Sequence, residues 1–135
     1  MITTLEILDL IYGELKGSEL DIAANGGLYK MQSPFDSNKE DIVINCLPVT
    51  NEQIQKATVN VNIYVPDLKV RISGKQQTVP DIERLQFLAA KAVQKLESIY
   101  YAGYSIEVSH QGLLKEEAVN QHFVNIRIEF RFINL

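Results

Sequence analysis

At 135 residues, with a hydrophobic share of 46% and a charged share of 22%, the chain has the size and make-up of one folded domain with its own core, which argues against global disorder. Thirteen basic against seventeen acidic residues, with no block of like charge, argue against a protein built to coat nucleic acid. No run approaches the roughly 18 apolar residues of a membrane span, and acids stand near the N-terminus where a signal peptide would carry positive charge, so a cytosolic protein is expected.

"MITTLEILDLIYGELKG" opens with a helix start. Thr3 is placed to cap, Glu6 to complete a capping box, and Ile2 with Ile7 to form a hydrophobic staple. Leu5, Leu8, Ile11, Tyr12 and Leu15 are expected on one face, with Gly17 as the left-handed stop. From Ser18 to Lys39 turn residues dominate (Asn25-Gly26-Gly27, Ser33-Pro34, Asp36-Ser37-Asn38), leaving "GLYKMQ" as one short strand. "EDIVINCLP" is a near-continuous β-branched run ended by Pro48, which predicts a strand inside the sheet and covered on both faces. Its single Cys46 has neither a second ligand nor an activating neighbour and is expected to act as a small buried hydrophobe.

Residues 57 to 65 alternate, with Val59, Val61, Ile63 and Val65 on one face, and a turn around Thr50-Asn51-Glu52 predicts antiparallel pairing with the strand before. The segment from Asp67 to Val79 carries Lys69, Arg71 and Lys75 around Ser73-Gly74. It is expected to be an exposed, mobile arm that orders on assembly; the alternative is an ordered hairpin extension with Val70 and Ile72 packed on the same subunit. Thr78 and Pro80 introduce a second helix, to about Ser98, in which Ile82, Leu85, Leu88, Ala89, Ala92, Leu96 and Ile99 recur at helical spacing, with Asp81 and Glu83 early and Lys91 and Lys95 late. "YSIEVSH" predicts a strand, "QGLLKEEAVNQ" a connection, and "HFVNIRIEFRFINL" a long closing strand with Val124, Ile126, Ile128, Phe130 and Phe132 on one face.

This order predicts one α+β domain over residues 1–135, an antiparallel sheet with two helices on its apolar face. The opposite face would then present Thr58, Asn60, Asn62 and Tyr64 beside Phe123, Asn125, Arg127, Glu129 and Arg131. Such a surface is either simply solvated or wet alone and dry in an assembly. No motif specifies catalysis. His110 and His122 lack metal-ligand spacing, "NGG" lacks the phosphate-loop pattern, and Ser109-His110 would point to opposite sheet faces. Tyr100, Tyr101 and Tyr104 have no basic patch beside them for base stacking and are expected to close the core edge.

In element order, and most specifically in "SPFDSNKEDIVIN" and "VNVNIYVPD", the chain resembles the tail completion, or tail terminator, proteins of long-tailed bacteriophages and prophages. The resemblance implies an α+β subunit without cofactor or chemistry that joins its own copies in a ring, usually a hexamer. That ring would sit on the last ring of the tail tube protein, stop its growth and meet a head-completion or connector protein. It also implies assembly in the bacterial host cytoplasm, a final place in the virion tail, and no membrane or direct nucleic-acid recognition. Asn60, Asn62, Tyr64, Lys69, Arg71, Lys75, Arg127 and Arg131 become the interface candidates. The segment 67–79 is longer than the family pattern has between that strand and that helix. A neck connector sharing the fold is the second reading, and a small ligand-binding module or enzyme a third.

Overall fold

The computed structural model describes residues 1–134. Five strands form the main sheet in the order β1 (Leu28–Lys30), β2 (Ile42–Cys46), β3 (Ile54–Pro66), β7 (Gln121–Ile133), β6 (Tyr104–Glu116). Helix α1 (Thr4–Leu15) packs over β1 and β2, helix α3 (Ile82–Glu97) over β3, β7 and β6, and a short α2 (Glu19–Ala23) rests on α3. A separate hairpin, β4 (Leu68–Ile72) and β5 (Lys75–Val79), stands between β3 and α3 in sequence. The fold is α+β, as expected.

Helix α1 begins with the anticipated capping box: Thr3 accepts from the Glu6 amide and Glu6 from the Thr3 amide, while Gly17 takes the positive φ of 77° that ends the turn. Its buried stripe is Ile7, Leu8, Ile11 and Leu15. Leu5, expected on that stripe, is 70% exposed, because a helix that seats Ile7 and Ile11 turns Leu5 off the core-facing side. Helix α3 buries Leu85, Leu88, Ala92 and Leu96, and its first residue, Ile82, faces solvent instead of the core. Asp81, not Thr78, caps it, accepting from the Arg84 amide.

Four features depart from the sequence expectation. The stretch after Gly17 contains α2, capped by Ser18 accepting from the Asp21 amide, with Leu20 fully buried. The sheet is mixed: β1 pairs β2 in parallel, because the eleven residues between Lys30 and Ile42 are long enough to carry the chain back to the same end of the sheet. "QGLLKE" is not a connection but the far half of β6, which follows a register shift between Val108 and His110 and is exposed on both faces. Lys69, Arg71 and Lys75 lie on two paired strands and not on a loop, joined by a two-residue turn with Ser73 at φ 51° and Gly74 at φ 77°, the primed turn that suits the twist of a β-hairpin.

Two polar ties lock the layers. Gln55, fully buried, donates to the carbonyls of Ile2 at 3.0 Å and Thr50 at 2.9 Å and accepts from the Ile2 amide and the Asn134 side chain, so both ends of the described chain are fastened to β3. Glu40, 4% exposed, receives two hydrogen bonds from Arg84, at 2.5 and 2.8 Å, and one from the Asn25 amide, while Arg84 also donates to the Ala23 carbonyl. This bidentate pair fixes the start of α3 to the residues that lead into β2, and the bonds to Asn25 and Ala23 tie in the turn that precedes β1. Gly26 is required there, since a Cβ would collide with the Asp41 carboxylate and the Glu40 backbone.

Burial alone would raise the Glu40 pKa, but the hydrogen bonds from Arg84 and Asn25 and the Arg84 charge outweigh it and hold the carboxyl below its ordinary value. A depressed carboxyl contributes stability above its unfolded value and loses it as pH falls through the folded one. Arg84→Met is therefore expected to cost about 3–5 kcal/mol at neutral pH by leaving a buried carboxylate unpaired. Denaturation titrations should show that deficit shrinking as pH drops below the ordinary carboxylate range. A deficit independent of pH would contradict the pairing.

Leu85→Asp should lower stability by several kcal/mol, about 3 or more, because it places a charge in the core under α3. Ile82→Asp, three residues earlier on the same helix, should leave the melting temperature within a few degrees of the wild type. Equal effects at the two positions would contradict the observed helix rotation.

Candidate assembly surface

Strands β3 and β7 pair over their full lengths, from Ile54 opposite Ile133 to Pro66 opposite Gln121. Side chains alternate between faces, so this one register sends Val59, Val61, Ile63 and Val65 with Ile126, Ile128 and Phe130 into the core. The same register sends Asn60, Asn62, Tyr64, Phe123, Asn125 and Arg127 to the face without helices.

On that outer face the amides bond to one another across three strands. Asn60 on β3 donates to Asn45 on β2 at 3.0 Å. Asn125 on β7 donates to Asn60 at 3.2 Å and to Asn62 at 2.7 Å, and Arg127 Nε donates to the same Asn60 oxygen at 3.3 Å. Asn60 is the hub and only 9% exposed, so its first role is inside the subunit. Asn62 and Tyr64 are half-buried, and Arg127 is exposed. The ladder offers a polar surface whose groups are largely satisfied before any partner arrives, which lowers the desolvation cost of covering it.

The two ends of the face differ. At one end Arg131 pairs with Glu129 at 3.0 Å and Glu107 at 3.7 Å across β7 and β6. At the other, Tyr64 stacks on Phe123 with ring centroids 4.7 Å apart. Burial and the nearby negative charge of Glu116 push the Tyr64 hydroxyl pKa up. Beyond this pair opens a cleft of about 460 Å³ between the 33–37 loop and the β6–β7 turn, lined by Pro34, Phe35, Asp36, Tyr64, Glu116 and Val119 among others. Phe35 at its rim is 92% exposed.

The remaining candidates, Lys69, Arg71 and Lys75, are exposed on the β4–β5 hairpin and separate from the amide ladder. The hairpin is rooted beside the cleft. Asp67, its side chain 1% exposed, hydrogen-bonds His122 at 2.7 Å, and its amide donates to the Asn120 carbonyl at 2.9 Å. Leu68, Val70, Ile72 and Val79 share one hairpin face, and Leu68 and Ile72 are each 46% exposed, so the packing of this row on the same subunit is slight.

Sequence reasoning singled out Asn60, Asn62 and Tyr64 but missed Asn45, which completes the ladder, and the cleft beyond Phe123. The alternation of β2 places Asn45 opposite Asn60, a signal obscured by the apolar run around it. Cys46 is half-buried, with its thiol pushed up to about 11 by burial, as a packing residue rather than a nucleophile would be. Tyr104 packs on Phe130 and Tyr101 as expected of a core edge, whereas Tyr100 is exposed. Among the described residues no three His, Cys, Asp or Glu side chains gather in a metal-binding group, and no helix is long and apolar enough to cross a membrane.

A scan against protein-family models returns no match for this chain, and a search of curated proteins returns none either.

The ladder makes Asn60 and Arg127 separable. Asn60→Ala removes the hub and should cost about 1–3 kcal/mol in chemical denaturation, because it orphans groups on Asn45 and Asn125 in a largely covered site. Arg127→Ala, at an exposed position, should cost less than about 1 kcal/mol. The reverse order would show that the amide network does not hold the strands together.

Proposed function

We propose that this chain is a structural subunit that joins its own copies in a ring on the end of a bacteriophage or prophage tail tube, halting tube growth and presenting a surface to a head-completion protein. The observation that carries the reading is the outer face of the β3–β7 pair: Asn45, Asn60, Asn62, Asn125 and Arg127 form a network already bonded within the subunit. Such a face loses little when water leaves it, which suits a protein that must dissolve alone and later be covered. The element order and the "VNVNIYVPD" strand that resemble tail completion proteins support the same reading. So does the exposed basic hairpin on an otherwise acidic chain, which provides a second, electrostatic contact. The role needs no cofactor and assigns no chemistry to any side chain.

The test is electron microscopy of the chain mixed with tail tubes of the phage or prophage whose genome encodes it. Wild-type protein should cap one end of each tube and stop elongation. Arg127→Glu, which leaves the hub amides in place, should melt within a few degrees of the wild type and fail to cap. Tubes that grow unchecked beside folded wild-type protein would refute the proposal, and normal capping by Arg127→Glu would remove the ladder from the contact.

A further inference from the structure

A two-stranded hairpin standing free of a third strand is at best marginally stable in water, and one with an apolar row needs something to cover that row. The β4–β5 hairpin has such a row in Leu68, Val70, Ile72 and Val79, and its three charged residues, Lys69, Arg71 and Lys75, are all basic. The rest of the chain carries ten basic residues against all seventeen acidic ones. The cleft beyond Tyr64 has the complementary make-up, with the apolar surfaces of Pro34, Phe35 and Val119 next to the carboxylates of Asp36 and Glu116.

The hairpin does not line its own cleft. Its root is held at Asp67 by His122 and by the Asn120 carbonyl, so it leaves the sheet in a set direction next to the cleft, not into it. We infer that the β4–β5 hairpin of one copy docks in the cleft between the 33–37 loop and the β6–β7 turn of a second copy. In that contact its apolar row covers Phe35 and Val119, Lys75, opposite Ile72 on the same hairpin face, meets Asp36 and Glu116, and Lys69 and Arg71 on the other face add to the attraction at longer range. Donor and acceptor are different surfaces, so the contact is heterologous: each copy gives a hairpin and receives one, and the chain of contacts closes into a ring wherever the rotation per subunit allows. The inference builds on the ring-forming role proposed above and names the contact that makes the ring.

Sedimentation velocity on the isolated chain tests this without any tail tube. Three forms are compared with wild type: a hairpin form (Lys69→Glu, Arg71→Glu, Lys75→Glu), a cleft form (Asp36→Asn, Glu116→Lys) and their combination. Thermal melting confirms that each is folded. Wild type should assemble, and raising salt should weaken it. The hairpin form and the cleft form should each need about tenfold or more higher concentration to do so. Mixed together they should assemble in alternation, since the wild-type hairpin of the cleft form fits the wild-type cleft of the hairpin form and the two altered surfaces fit each other, and the combined form, with the charge of both surfaces inverted, should regain assembly. A wild type that stays monomeric, or single-surface forms that assemble like wild type, would overturn the inference. So would hairpin charges that matter only for binding tail tubes, which would make the tube the occupant. Assembly through this contact by a protein that does not cap tubes would sink the tail role and leave the contact standing.

Discussion

The thirteen-residue antiparallel pairing of β3 with β7 is the constraint on which the rest of the molecule depends. Its register allows no slip, because moving one strand by a single residue would turn Val59, Val61 and Ile63 to water and bring Asn60 and Asn62 under the helices. The apolar face gives α1 and α3 something to cover. The opposite face receives, from the same alternation, the amides that bond to one another. Core and candidate assembly surface are thus two sides of one hydrogen-bonded ladder, and a change that weakens the pairing disturbs both.

The ends of that ladder organise what surrounds it. At one end Gln55 gathers Ile2, Thr50 and Asn134, fastening α1 and the last strand to the sheet. At the other, Pro66 opposite Gln121 delivers the chain to Asp67, whose contact with His122 sets the root of the hairpin, while Tyr64 and Phe123 stack to form one wall of the approach to the cleft. The hairpin and the cleft lie together because both grow from the same end of the same two strands. That adjacency, with a rigid root between them, favours exchange between copies over closure within one.

Legibility followed burial. Helix α3 and strand β3 were readable because each buries one face completely, so Leu85, Leu88, Ala92 and Leu96, and Val59 through Val65, print their period on the sequence. The capping box at Thr3 and Glu6 was readable because it is local. The far half of β6 was not, since His110 to Lys115 are exposed on both faces and nothing selects an alternating pattern there. The parallel β1–β2 pair and the Glu40–Arg84 tie depend on partners distant in sequence, and a buried charged pair looks like any two surface charges until the fold brings it together. The hairpin left real signals in the alternation of Leu68, Val70 and Ile72 and in Ser73-Gly74, and the basic residues between them masked these as loop. For the surface, the row Asn60, Asn62, Tyr64 was visible on one strand, but the hub position of Asn60 required the neighbouring strands to be in place.

If the outer ladder and the hairpin are assembly features, the subunit should associate head to tail and close. Native mass spectrometry of the wild-type chain at rising concentration addresses this directly. One closed stoichiometry of three or more copies should appear cooperatively at low salt. A monomer at every concentration would contradict it, and so would a dimer that adds no further copies, because two copies exchanging hairpins reciprocally fill every cleft without forming the ring that capping a tube requires.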